Sequence, residues 1–267
     1  MADNTVYLIT GANRGIGLAL TTLLLLRPKT TVIATSRSLP LPLPSSSDAT
    51  PSPSPSPYAS LSIHPTSALH PIPLDESNPS ISSSALPAVL SSLGIKHINI
   101  LIANAGSSVG FKSVQDTDID NFRQDLEVNF LNVVKLFGVV WPLLERAETE
   151  KKLIVMSSSV GSIGLMGLEG GGDGNLPVGS YGVSKAAVNW WAQKLSVEYK
   201  NKGLLVGVIH PGWVKTSMGQ GLADAVGVKE PPLTTEESAK GVLEQIDGLT
   251  EEKTNQFLMY DGRVLPW

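Results

Sequence analysis

Gly11, Gly15 and Gly17 fall in one stretch, Thr10-Gly11-Ala12-Asn13-Arg14-Gly15-Ile16-Gly17, between a β-rich run (Thr5 to Thr10) and an apolar helical stretch reaching about Leu26. Thr30 to Ser36 follows as a second strand candidate. Strand, glycine turn, helix, strand is the start of a βαβ unit, which commits the chain to a parallel sheet. A turn of this kind lets the backbone approach a pyrophosphate at a helix N-terminus, where free N–H groups and the helix dipole favour anions. Alone it would be an ordinary connection; its place after a strand and before a helix gives it weight.

The alternation continues. Apolar runs at Ile98–Ala103, Leu153–Met156, Leu204–Ile209 and Phe257–Tyr260 do not alternate with polar residues, as expected of strands buried on both faces. Between them, Phe122, Leu126, Phe130, Val133, Phe137 and Val140 recur every three or four residues within Ile119–Leu144. Tyr181 to Lys202 reads as a second long helix, stopped by Gly203. With 267 residues, 42% of them hydrophobic, the chain is long enough for one large core. The expectation is an α/β fold: a single Rossmann-type domain over residues 1–267 with a doubly wound, mostly parallel sheet.

One tract breaks the pattern. Leu39 to Pro57, with Leu-Pro repeats and then Pro-Ser repeats, stands where a second crossover helix is expected. Proline at every other position removes backbone donors and forbids a helix, so a flexible surface insertion is expected.

The formal net charge of −4 argues against a nucleic-acid partner, because neutralising phosphates needs a basic surface. The chain has no cysteine, which excludes disulfides, thiolate metal sites and cysteine nucleophiles and favours a cytoplasmic protein. The start lacks a signal-peptide profile, and Leu18 to Leu26 is far short of the roughly 18 apolar residues of a membrane span. No membrane association is expected. His64, His70, His97 and His210 lack ligand spacing, so no metal site is expected.

Two further constellations carry chemistry. Tyr181-Gly182-Val183-Ser184-Lys185 puts a phenol and an ammonium on one helix face. An adjacent ammonium is expected to lower the phenol pKa from about 10 and make Tyr181 a proton donor near neutral pH. Ser157-Ser158-Ser159 follows the strand ending at Met156, at the edge where open α/β sheets bind ligands.

Jointly and in this order, these segments resemble the short-chain dehydrogenase/reductase family over nearly the whole chain. Thr10 to Gly17 matches its Thr-Gly-x-x-x-Gly-x-Gly, and Asn104-Ala105-Gly106 matches its Asn-Ala-Gly. Tyr181 and Lys185 match Tyr-x-x-x-Lys, and Pro211-Gly212-Trp213-Val214-Lys215-Thr216 matches Pro-Gly-x-x-x-Thr. Asn129 matches the asparagine of the catalytic tetrad. Ser158 best matches the serine, through Ser158-Ser159-Val160-Gly161, with Ser159 as the alternative. Thr-Val-Tyr-Leu-Ile-Thr-Gly, His-Pro-Gly-Trp-Val-Lys-Thr and the closing Asp261-Gly262-Arg263-Val264-Leu265-Pro266-Trp267 are similar to C-factor and sniffer-type carbonyl reductases and to fungal norsolorinic acid ketoreductases. The stretch from Ser158 to Tyr181 is longer than the family's usual spacing.

The resemblance implies a ketone oxygen bound by Tyr181 and Ser158, hydride from NADPH and a proton from Tyr181. It further implies that Lys185 holds the nicotinamide ribose, that Asn129 positions a relay water, that Asp75 contacts the adenine amino group, and that the enzyme is a homodimer. Around the cofactor it implicates Gly11, Asn13, Arg14, Gly15, Ile16 and Gly17. Asn104, Ala105 and Gly106 join them, as do Pro211, Gly212, Val214 and Thr216. NADPH is expected over NADH because the second strand ends in Ser36-Arg37 rather than in a carboxylate, with Arg14 in the glycine turn. A sensor or scaffold without turnover and an NAD-linked alcohol dehydrogenase are the competing readings. The small-molecule carbonyl substrate is expected to be a bulky, mostly apolar ketone or aldehyde, because the pocket loops carry Val109, Phe111, Ile163, Leu165, Met166, Trp213 and Met218. A glycine-rich lid is expected over Glu169–Gly179.

Overall fold

The computed structural model describes residues 4–37, 56–167 and 173–267. Its strands are β1 (Thr5–Thr10), β2 (Thr30–Ser36), β3 (Ala68–Pro73), β4 (Ile100–Ala103), β5 (Lys151–Met156), β6 (Leu204–His210), β7 (Phe257–Met259) and β8 (Val264–Leu265). They form one sheet in the order β3-β2-β1-β4-β5-β6-β7-β8. All neighbours are parallel except the pair β7–β8.

The helices are α1 (Gly15–Leu25), α2 (Leu86–Ser92), α3 (Ile119–Leu126), α4 (Asn132–Glu145), α5 (Gly179–Glu198), α6 (Ser217–Ala225) and α7 (Thr235–Asp247). Alternate strand residues point to opposite faces, and here both faces are apolar. Val6 and Leu8 of β1 join a core with residues of α2, α4 and α5. Tyr7 and Ile9 join another with residues of α1 and α7. The continuous apolar runs are therefore two interleaved cores, one under each helical layer.

Two strands escaped the sequence reading. β3 carries Pro71, which pairs opposite Ala34 at the sheet edge, and an edge is where a strand tolerates proline. β8 is two residues long. The Pro/Ser tract expected over Leu39–Pro57 lies outside the described residues, except for Ser56 and Pro57.

The segment Ile119–Glu145 is long and apolar enough by length and composition to cross a membrane. Here Val133, Leu136, Phe137, Val140 and Leu144 of α4 are buried in the core instead. The join between α3 and α4 is a π-helical turn, Glu127–Leu131, whose one buried residue is Asn129. α5 ends ahead of a short 3-10 turn, and Gly203 closes it in the left-handed region at φ 73°.

Candidate active site

From β1 the sheet runs outward through β2 and β3 on one side and through β4 to β8 on the other. A crevice must therefore open beyond the strand C-termini at β1 and β4. A cleft of about 1940 Å³ lies there, bounded by residues following β1 through β6.

The glycine turn forms its floor. Gly11 has φ +63°, and a Cβ on it would stand 3.0 Å from Ala105 Cα. A Cβ on Gly17 would overlap the Gly11 carbonyl oxygen and stand 2.6 Å from Asn104 Nδ2. Asn104 ties the two halves together: its Nδ2 donates to Thr10 O at 2.8 Å, and its N–H donates to Thr10 Oγ1 at 3.0 Å. Ala105 N–H donates to the same hydroxyl at 2.9 Å. α1 then begins with Arg14 as N-cap, with no side-chain cap and no acid in its first turn. Its first N–H groups are left for an anion.

Of the residues singled out in the sequence, Gly11, Asn13, Arg14, Gly15 and Ile16 line this cleft. Ser36, Arg37 and Asp75 line it at the ends of β2 and β3, and Asn104, Ala105 and Gly106 after β4. Pro211, Gly212, Val214 and Thr216 line it after β6. Gly17 and Asn129 stand behind the wall, supporting it. Thr216 caps α6 by accepting from Gly219 N–H at 3.0 Å. Arg14 Nη1 donates to Ser217 Oγ at 3.1 Å. Asp75 accepts from the Ser77 hydroxyl at 2.7 Å and amide at 3.0 Å, which holds its carboxyl below the usual range.

Ser158, Tyr181 and Lys185 converge on one side of the cleft. Close approach of the serine loop to α5 requires Gly161, where a Cβ would stand 2.7 Å from Lys185 Cβ and 2.8 Å from its carbonyl carbon. Tyr181 is hydrogen-bonded to Ser158, whereas Ser159 Oγ lies 3.4 Å from His210 Nε2. Lys185 is buried, donates to Met156 O at 2.8 Å and lies 5.5 Å from the Tyr181 ring centre.

The phenol does not behave as expected from the sequence. Burial pushes Tyr181 up to about 12, outweighing the lowering by Ser158, and Asp125 adds to the rise. Burial likewise pushes Lys185 down to about 8, opposed by Asp125. The ammonium that was expected to lower the phenol is itself weakened by desolvation. Tyr181 therefore carries its proton at neutral pH, which is the form a proton donor needs.

Asn129 braces the site. Its Oδ1 accepts from Ser107 N–H at 2.9 Å, and its Nδ2 donates to Ser107 O at 2.8 Å and to Ser184 Oγ at 2.9 Å. Two further braces were not read from the sequence. Asn189, one turn after Lys185, accepts from Ser157 Oγ at 2.5 Å and donates to Gly161 O at 3.3 Å. Asp125, one turn before Asn129, is fully buried. An asparagine and an aspartate on amphipathic helices look like solvated residues until their partners are known.

The apolar rim differs in part from expectation. Phe111, Trp213 and Met218 line the cleft, joined by Leu176, Val178 and Leu222. Val109, Ile163, Leu165 and Met166 do not, and Ile163 and Met166 are exposed. The loop bearing the last three is drawn toward the end of the chain. Ser162 Oγ donates to Pro266 O at 2.6 Å and Gly164 N–H to Trp267 O at 2.7 Å, while Trp267 stacks on Phe257 at 5.5 Å. Of the expected lid, residues 169–172 lie outside the described residues.

Relatives carry the same architecture. The family profile described as short chain dehydrogenase matches residues 58–227. A norsolorinic acid ketoreductase of Dothistroma septosporum is 34% identical over 100% of this chain and 94% of its own. A norsolorinic acid ketoreductase of Aspergillus parasiticus is 30% identical over 99% of this chain and 92% of its own. Among solved structures, an NADPH-bound carbonyl reductase from chicken fatty liver superposes with a TM-score of 0.79 at 27% identity, covering 100% of both chains. In sequence and in fold the chain thus matches enzymes of one kind over its whole length, and it belongs to the short chain dehydrogenase family of oxidoreductases.

Proposed function

We propose that the protein is an NADPH-dependent reductase that converts a bulky, mostly apolar ketone or aldehyde to an alcohol. The observation that carries this reading is that one cleft is lined both by Ser158, Tyr181 and Lys185 and by the glycine turn, Arg14 and Arg37. The glycine cradle fits a dinucleotide, because Cβ atoms on Gly11 and Gly17 would fill the space and distort the turn that meets the pyrophosphate. Arg14 and Arg37 are placed to hold a ribose 2′-phosphate through charge-assisted hydrogen bonds. Asp75 would meet the adenine, and Asn104 to Gly106 with Pro211 to Thr216 would hold the nicotinamide end, all of them lining the cleft.

Bound NADPH supplies a hydride to the carbonyl carbon. This chain's residues do the rest. Ser158 and Tyr181 donate hydrogen bonds to the carbonyl oxygen, and Tyr181 gives up its proton as that oxygen becomes an alcohol. The Lys185 ammonium stabilises the phenolate left behind and holds the ribose. Both N–H donors of the Asn129 side chain are engaged by Ser107 and Ser184, so that side chain braces the loop and α5. Phe111, Trp213, Met218 and Leu222 offer an apolar wall. The Trp213 Nε1–H is taken up by Gly219 O at 3.0 Å, which leaves the indole without a free donor. An arginine fork for a carboxylate substrate is absent from that rim among the described residues.

The test is NADPH oxidation measured across a graded ketone series, with NADH in parallel. Aromatic and bicyclic ketones are expected to be reduced with higher kcat/KM than small keto acids; the reverse order would overturn the substrate assignment. NADPH is expected to exceed NADH by about a hundredfold in kcat/KM, since a hydrogen bond to a charged group contributes about 1.5–3 kcal/mol. Arg37→Ala should erode that preference by about tenfold or more. Equal efficiency with the two cofactors would favour an NAD-linked alcohol dehydrogenase, and nucleotide binding without turnover would favour a sensor.

A further inference from the structure

Asp125 is 0% exposed, yet its hydrogen-bond partners are hydroxyls and an amide rather than a cation. Its Oδ2 accepts from Ser180 Oγ at 2.7 Å, and its Oδ1 from Ser107 Oγ and Val109 N–H, each at 3.3 Å. A buried carboxylate is costly, so its position needs a reason. One reason is local. Ser180 is the second residue of the 20-residue helix α5, whose first turn has no acid of its own. Asp125 brings an anion to that helix terminus, where the dipole favours it. The other reason is what Ser180 and Ser107 adjoin. Ser180 precedes Tyr181, and Ser107 begins the loop that Asn129 grips by its main chain.

We infer that Asp125 is a positioning residue for the reaction: its buried carboxylate ties the loop after β4 and the start of α5 to α3, and so sets Tyr181 and Lys185 in place beside Ser158. The inference rests on Tyr181 and Lys185 acting as proposed above. A carboxylate disfavours the phenolate of Tyr181 and favours the ammonium of Lys185, and both residues are pushed in those directions by Asp125. Among the described residues, Asp125 is the charge that acts on both members of the pair. On α3 and its continuation, Asp120 pairs with Arg123 at 2.8 Å and Glu127 with Lys135 at 2.6 Å, all at the surface. Lys112, beyond the β4 loop, lies 4.0 Å from Asp118 with both exposed. β5 offers the Met156 carbonyl, and the turn after it the Ser158 hydroxyl. β6 offers His210, which approaches Ser159.

Asp125→Asn separates charge from shape. An amide oxygen can still accept from Val109 N–H, and the Ser180 hydroxyl can turn to accept from the new NH₂. Without the negative charge the Lys185 ammonium loses its support, so the alkaline limb of kcat should move to lower pH by about one unit. The Tyr181 phenolate, followed by ultraviolet difference absorbance against Tyr181→Phe, should also appear at lower pH by about one unit. If either titration coincides with wild type, the electrostatic role is wrong. Ser180→Ala keeps the charge and removes the tie beside Tyr181. It should lower kcat several-fold with the alkaline limb unmoved, and an unchanged kcat would overturn the positioning role. The absorbance titration needs no turnover, so a wild-type enzyme inactive on every ketone would refute the proposed function while leaving Asp125 still under test.

Discussion

Tyr181→Phe should reduce kcat for ketone reduction by about 10²–10⁴, the usual loss when a positioned general acid is removed. NADPH affinity should change little, because the glycine turn and the two arginines follow β1 and β2, whereas Tyr181 is on α5. The fold should survive as well, since the substitution keeps the ring and deletes only the hydroxyl that meets Ser158. Steady-state rates and NADPH fluorescence titration separate the two effects. The wild-type pH profile carries the same argument. Burial keeps Tyr181 protonated toward about 12, but it lowers Lys185 to about 8. The sign then follows: the ammonium is present below that value and lost above it, so kcat should hold near neutrality and fall as pH rises past about 8. A Tyr181→Phe enzyme within a few-fold of wild type would mean that another acid supplies the proton. His210, through Ser159 at 3.4 Å, would be the next group to test.

What the sequence made legible and what it hid divide on physical lines. Strands β1 and β2 were readable to the residue, because an apolar run bounded by turn signals has one reading beside a glycine turn. Most groups that share the cleft were readable too, since the glycine turn, Asn104 to Gly106, the serine run and Pro211 to Thr216 each follow the C-terminal end of a strand. β3 was hidden by Pro71, which disqualifies a central strand but not an edge. Asp125 was hidden because Asp120, Arg123 and Glu127 surround it in sequence and are solvated. Its partners Ser107, Val109 and Ser180, distant along the chain, give it a buried place. Ile163, Leu165 and Met166 were assigned to the substrate rim because their loop follows the serines. The contacts of Ser162 and Gly164 with Pro266 and Trp267 pull that loop aside, and no local pattern announces a partner a hundred residues away. The direction of the Tyr181 shift was misjudged for a related reason: spacing gives the neighbouring ammonium, but burial is a property of the whole fold.

Gly17→Ala should abolish measurable NADPH binding, although Gly17 does not line the cleft. The added Cβ would overlap the Gly11 carbonyl oxygen and press on Asn104 Nδ2 at 2.6 Å. Neither obstacle is the loose end of a flexible side chain. The carbonyl belongs to the turn that meets the pyrophosphate, and Asn104 Nδ2 is committed to Thr10 O at 2.8 Å. Relief must therefore come from moving α1 away from the turn or from distorting the turn itself. Either displaces the first N–H groups of α1 from the anion they serve. Overpacking of this kind costs about 1–3 kcal/mol, which for a chain of this size lowers Tm by several degrees. Binding should suffer more than stability, because the turn can relax into another arrangement that no longer fits a pyrophosphate. Gly138→Ala is the control. Gly138 lies on the exposed side of α4, and nothing stands within 4 Å of a Cβ there. Alanine is the better helix former by up to about 1 kcal/mol, so that variant should match or slightly exceed wild-type stability and bind NADPH normally. Isothermal titration with NADPH and thermal unfolding of both variants would decide the matter. A Gly17→Ala enzyme that binds NADPH with wild-type affinity would mean that the turn yields freely and that the dinucleotide is held elsewhere.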